Sequence, residues 1–255
     1  ILVNCKGGLN LGKWTFGCWK KEGHGNVNLK KAVVESCDVY FYELGKILGI
    51  KKIANYSKKL GLGKITGFSL EEKDGLIPDD EWKTKKFKTS WYLGDTFNTS
   101  IGQGFLKVTP LQMAMVMATF VNGGIKYKPY ILRDSMPEGI NIKLNNKNLE
   151  IIKEALEAVV NDPNGTAYVA KSSLIKFGGK TGTVQVVSKK VKEKLPGKNF
   201  EHHAWFIGFA PVDEPEIAFS VIVEHGGSGG AVAAPLVKNI LEGYFLKKRQ
   251  LNVEN

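Results

Sequence analysis

Apolar residues recur at three- and four-residue spacing through 39–48, where Tyr40, Phe41, Leu44, Ile47 and Leu48 fall on one side. That period predicts a helix. A second run over 50–60 predicts another, closed by Gly61 and Gly63. Asn28 ahead of 29–35 reads as a helix cap, and Thr109-Pro110 as the cap and first residue of a helix ending at Asn122-Gly123-Gly124. Ile151, Ile152, Leu156, Val159 and Val160 mark the apolar side of a helix over 148–161. Between these runs, 67–98 carries turn formers (Gly75, Pro78, Asp79, Asp80, Gly94) and predicts a long surface excursion. Beyond 161 the pattern changes. Branched and aromatic residues over 184–187, 204–209 and 217–223 predict strands, and 234–246 a closing helix.

Helices, then consecutive strands, then a helix imply an α+β fold with an antiparallel sheet flanked by helices. We expect one domain over 1–255, with a mainly helical lobe at about 1–160 and the sheet and closing helix at about 161–250. A hydrophobic fraction of 43% in 255 residues supports one sizeable core. The net charge of +11 changes this picture little, because basic residues are spread from Lys6 to Arg249. A solvated surface is expected, and no nucleic-acid partner. No apolar run reaches the roughly 18 residues that span a bilayer. Ile1-Leu2-Val3-Asn4 reads as mid-domain sequence, so the chain is expected to be part of a longer protein.

The most informative segment is Gly178-Gly179-Lys180-Thr181-Gly182-Thr183. On a strand Thr181 and Thr183 share a face, and Gly182 lets a ligand backbone lie close. Two hydroxyls and an ammonium suit a carboxylate, and the Thr183 N–H suits an oxyanion. Ser36-Cys37-Asp38 is the second candidate. Ser36 and Asp38 converge only if the helix breaks there, which Asp38 as N-cap of the following helix would allow. Each motif also has a bland reading, as a strand bulge or a simple cap.

Together the two resemble the second and third signatures of penicillin-recognising serine enzymes, in order. Phe16-Gly17-Cys18-Trp19-Lys20, Gly23-His24-Gly25, Asn98-Thr99-Ser100-Ile101-Gly102-Gln103-Gly104, Val108-Thr109-Pro110-Leu111-Gln112 and His203-Ala204-Trp205-Phe206-Ile207-Gly208 narrow the resemblance. They are similar to the penicillin-binding protein 2 family, the monofunctional transpeptidases of bacterial cell elongation. The resemblance implies a serine acyl-enzyme formed on a peptidoglycan stem peptide ending in D-Ala-D-Ala, with β-lactams as mimics. It implies proton relay by Ser36, a positive field from Lys180, orientation by Asp38, carboxylate binding by Thr181 and Thr183 beside Gly182, and a cleft lined by Gln103. It further implies a periplasmic domain anchored in the inner membrane through a segment outside this chain, and no cofactor for catalysis. A lipid-II polymerase and a periplasmic scaffold protein are the implied partners.

Two departures stand out. The second motif ends in Asp38, where the family commonly has Asn, and an ionised carboxylate cannot donate. The only Ser-x-x-Lys is Ser173-Leu174-Ile175-Lys176, on the approach to a strand, so the nucleophile is expected upstream of Ile1.

Cys5, Cys18, His24 and Cys37 form a plausible structural zinc set, three thiolates and an imidazole. A Cys5–Cys18 disulfide and three unrelated cysteines are the competing readings. His202, His203 and His225 are expected at strand edges and turns, and His225-Gly226-Gly227-Ser228-Gly229-Gly230 lacks the ending of a phosphate loop. A non-catalytic penicillin-recognising sensor, a serine β-lactamase and a zinc-dependent nucleic-acid binder are the alternative functions.

Overall fold

The computed structural model describes residues 1–132, 134–185 and 201–253. The sheet that organises the molecule has three antiparallel strands in the order β7 (Gly178–Val184), β8 (His203–Ala210) and β9 (Ile217–Val223). Its register pairs Lys180 with Ile207, Gly182 with Trp205, and Ala204 with Val223. Alternation along β8 sends Ala204, Phe206 and Ala210 into one core and Ile207 and Phe209 into another. The first core is closed by Val237, Leu241 and Phe245 of the C-terminal helix α7 (Ala234–Val253). The second is closed by Met117 of α5 (Pro110–Val121) and Leu156 of α6 (Asn146–Asn161). Helices therefore cover both faces, as the α+β reading expects.

The caps follow the sequence. Asn28 accepts from Lys31 N at the start of α1 (Leu29–Val34). At α5, Thr109 accepts from Gln112 N, and the Gln112 side chain accepts from Thr109 N at 2.9 Å, a reciprocal pair that satisfies two orphan donors. The helix α2 (Asp38–Lys59) runs through both predicted segments, interrupted where Gly49 takes φ 72°.

Three expectations change. The excursion over 67–98 contains two helices, α3 (Asp80–Phe87) and α4 (Leu93–Ser100). Asp79 acts there as an N-cap, accepting from Trp82 N at 2.9 Å. Both helices are only eight residues long, too short for the period to show. Second, Asp38 is not the cap of α2. Cys37 holds that position and Asp38 is the first helical residue. Third, the strand predicted over 184–187 begins earlier, at Gly178, and includes the whole Lys-Thr-Gly segment. Positions 186–187 of that prediction lie outside the described residues.

The short N-terminal strands carry too little pattern to be seen in sequence. β1 (Val3–Cys5) pairs with β4 (Gly25–Val27), setting Cys5 opposite Gly25. β2 (Gly8–Leu11) and β3 (Trp14–Gly17) form a hairpin between them.

Candidate active site and thiol corner

The site forms where α1 stops. Ser36 takes a left-handed conformation, φ 53°, and Cys37 N donates back to Ala32 O at 3.0 Å. This is the six-to-one bond of a Schellman helix end, with serine where glycine is usual. Three carbonyls that follow are also met. Thr166 N donates to Val34 O at 3.1 Å, and the Trp19 indole N–H is shared between Glu35 O and Ser36 O, each at 3.0 Å. Trp19 also donates its backbone N–H to Asp38 Oδ2 at 3.0 Å. A predicted break between helices is therefore present, but a left-handed serine produces it.

Across from this corner lies β7, which among the described residues pairs only with β8 and so forms the edge of the sheet. Lys180 Nζ donates to Ser36 Oγ at 2.9 Å, joining motifs 144 positions apart in the chain. It also donates to Thr181 O at 3.1 Å and lies 3.5 Å from Thr181 Oγ1. Because Ser36 accepts here, its own proton stays free. Thr181 Oγ1 is 2.8 Å from Thr166 Oγ1, and Thr183 Oγ1 accepts from Gly229 N at 3.4 Å. Gln103 donates its amide to Thr183 O at 3.1 Å. Its turn is carried by α4, which sits so tightly on α2 that a Cβ at Gly45 would lie 2.8 Å from Ser100 Cβ. Ser36, Lys180, Thr181, Gly182, Thr183 and Gln103 are thus one group. Asp38 adjoins it through charge rather than through a bond to Ser36.

The electrostatics are mutually adjusted. Burial pushes Lys180 down to about 8, opposed by the Asp38 charge. Burial pushes Asp38 up to about 6, helped by the Cys18 charge and opposed by the Trp19 amide. An ammonium that is easily discharged thus faces a carboxylate that is easily protonated, a pairing common where protons move.

Cys37, between Ser36 and Asp38, points the other way. Cys5, Cys18, His24 and Cys37 are all buried, with one ligand atom each inside a 4.8 Å span. His24 Nδ1 lies 3.6 Å from Cys5 Sγ and 3.5 Å from Cys18 Sγ. A tetrahedral zinc with bonds of about 2.0–2.3 Å separates its ligands by roughly 3.5–3.8 Å, which the two His24–Cys separations match. A hydrogen bond from Cys37 draws Cys18 down to about 4, while Cys37 itself is held protonated, well above the usual thiol range. All three cysteines are free, so the Cys5–Cys18 disulfide is not formed. His24 Nε2 is buried without a hydrogen-bond partner, 4.0 Å from the Glu35 carboxylate.

The other candidates fall elsewhere. Ser173 is in irregular chain and Lys176 is paired with Glu157, so that Ser-x-x-Lys is not one helical turn. His203 opens β8 and accepts from His225 N at 2.9 Å, a strand-edge role. Sequence reasoning missed Trp19, Thr166 and Gly229. Trp19 lay inside a quoted motif, but nothing local signals that an indole will cap a helix end.

This geometry, with a serine at a helix junction bonded to a lysine on a Lys-Thr-Gly strand edge, defines the penicillin-recognising acyl-transfer class. The family model for the penicillin binding protein transpeptidase domain matches residues 2–242, and the chain belongs to that family. Its relatives include proteins named peptidoglycan D,D-transpeptidase MrdA. That of Acinetobacter baumannii is 38% identical over 92% of this chain and 37% of its own length. That of Haemophilus influenzae is 36% identical over 94% of this chain and 39% of its own. Among solved structures, penicillin-binding protein 2 of Helicobacter pylori in complex with MreC superposes with a TM-score of 0.87 and 34% identity, covering 96% of this chain and 45% of that one. Penicillin-binding protein 2 of Pseudomonas aeruginosa with WCK 5153 gives 0.82 and 32%. The chain thus spans about four-tenths of the length of the curated relatives quoted. The expected transpeptidase fold and the resemblance to penicillin-binding protein 2 are both borne out.

Proposed function

We propose that this chain is the greater part of the transpeptidase domain of a peptidoglycan D,D-transpeptidase that cross-links stem peptides during cell elongation. The observation that carries the reading is the 2.9 Å bond between Lys180 and Ser36. A serine contributed from outside these residues attacks the carbonyl of the penultimate D-Ala. The C–N bond breaks, and the proton released by the attacking serine reaches the departing amine through Ser36, which accepts one proton as it gives its own. The Lys180 charge stabilises the anionic intermediate, and Thr181 and Thr183, flanking the bare Gly182, hold the terminal carboxylate. Asp38 orients the amide or lysine facing it, and Gln103 fixes the strand edge from below. A second peptide's amine then releases the acyl group. β-Lactams enter by the same route and stall.

Labelling of the full-length protein with a fluorescent penicillin tests this. Wild type is expected to label at one serine, and Lys180→Ala to lose roughly a thousandfold in rate, within the span of acid–base and charge stabilisation together. Undiminished labelling of Lys180→Ala would remove that residue from the mechanism. Rapid turnover of the adduct would favour a β-lactamase instead.

We infer further that Cys5, Cys18, His24 and Cys37 hold a structural zinc ion, which when bound crosslinks the N-terminal strands to the junction of α1 and α2. No catalytic step passes through it. We propose a periplasmic location for the domain, in a protein anchored in the inner membrane; among the described residues no helix is long and apolar enough to cross a membrane. One solved neighbour is a complex with MreC and another a peptidoglycan synthase complex of polymerization and crosslinking. By that likeness a periplasmic scaffold and a lipid-II polymerase are the proposed partners.

A further inference from the structure

Thr166 belongs to neither motif, yet it touches both. Its N–H is bonded to Val34 O, the last residue of α1, and its hydroxyl lies 2.8 Å from Thr181 Oγ1. Gly230 packs directly on it, since a Cβ there would come within 2.2 Å of Thr166 O. The residue is therefore fixed from three sides: the serine corner, the Lys-Thr-Gly strand and the turn that leads into α7.

We propose that Thr166 is a positioning residue for the ligand carboxylate, donating its proton to Thr181 Oγ1 so that the Thr181 proton is turned outward. The proposal rests on the acyl-transfer reading above. A hydroxyl has one proton to give and two lone pairs to fill. Lys180, 3.5 Å away, can only donate to Thr181 while charged. When Thr166 donates as well, both lone pairs of Thr181 are met and its proton is left for an incoming acceptor. A carboxylate is purely an acceptor, and its charge favours that arrangement over the reverse, in which Thr181 donates inward to Thr166. Removing the Thr166 hydroxyl leaves Thr181 poorly oriented without touching the groups that surround the reacting carbonyl.

The test uses the full-length protein and a β-lactam as free acid and as methyl ester. Acylation rates over a concentration series separate prior binding from the chemical step. Thr166→Val, matched in shape but lacking the hydroxyl, is expected to weaken binding of the acid by about tenfold, the scale of one charge-assisted hydrogen bond, leaving the chemical step nearly unchanged. Thr166→Ser should restore binding, and the ester should show no dependence on residue 166. Equal losses for acid and ester, or no loss for the acid, overturn the proposal. A wild-type protein that reacts with neither form overturns the acyl-transfer reading, and this inference with it.

Discussion

The thiol corner and the β7 edge handle polar groups in opposite ways, although Cys37 of the one adjoins in the chain the Ser36 that bonds the other. In the corner, three sulfurs and an imidazole are buried beside Val27, Val39, Tyr40, Tyr42 and Phe97 and gather within 4.8 Å of one another. At the edge, Thr183 is exposed and Lys180 only partly covered, so the polar groups remain available to a ligand. Ser36-Cys37-Asp38 serves both regions: Cys37 is fully buried among the sulfurs, and Ser36 faces Lys180. A concentration of buried thiols has little to offer a peptide substrate, but it fixes the backbone from which Ser36 projects. The contrast teaches that stability and ligand response are assigned to neighbouring residues of one tripeptide.

Disturbing the corner should give the largest effect. Cys18→Ser is expected to abolish the zinc, measured as one ion per chain in wild type, and to lower Tm by roughly 6 °C, on the scale of about 3 kcal/mol for a chain of this size. Metal-free wild type of unchanged Tm would break the comparison, making the corner an ordinary core.

A pH series sharpens the distinction from the other side. Lys180 gives up its proton near 8 in the fold, against its ordinary 10.5 in the unfolded chain. The unfolded state therefore holds more protons between those values, and this group makes folding more favourable as pH rises through them. Acylation needs the charge, and should fall about tenfold per unit above pH 8. Wild type should thus gain stability relative to Lys180→Ala over the range in which it loses acylation rate. Acylation rates and urea midpoints, measured together from pH 7 to 10, check both limbs.

The smallest effect is expected at Gln103→Ala. Its bond to Thr183 O, 3.1 Å long and exposed, should contribute less than about fivefold to acylation and nothing measurable to Tm.

Long periodic segments were legible in the sequence, as were the caps at Asn28 and Thr109, because they depend on neighbours in the chain. The Lys-Thr-Gly edge and the four metal-ligand candidates were legible as chemistry. What could not be read were the contacts between distant segments. Cys5 reaches His24 through three-residue strands, Trp19 caps a helix end sixteen and seventeen positions away, and Thr166 meets Thr181 across a loop. Asp38 was misassigned as a cap because a left-handed Ser36 already ended the preceding helix, leaving Cys37 as the boundary.

Gly229 carries a consequence for how the ligand range of such a protein can drift. A methyl group there would sit 2.3 Å from Gly182 O and 2.4 Å from Trp205 O, so that wall admits no larger residue without moving the sheet. Change in what this edge accepts should therefore spare Gly229 and fall more readily on residues such as Gln103, whose bond to Thr183 O is exposed.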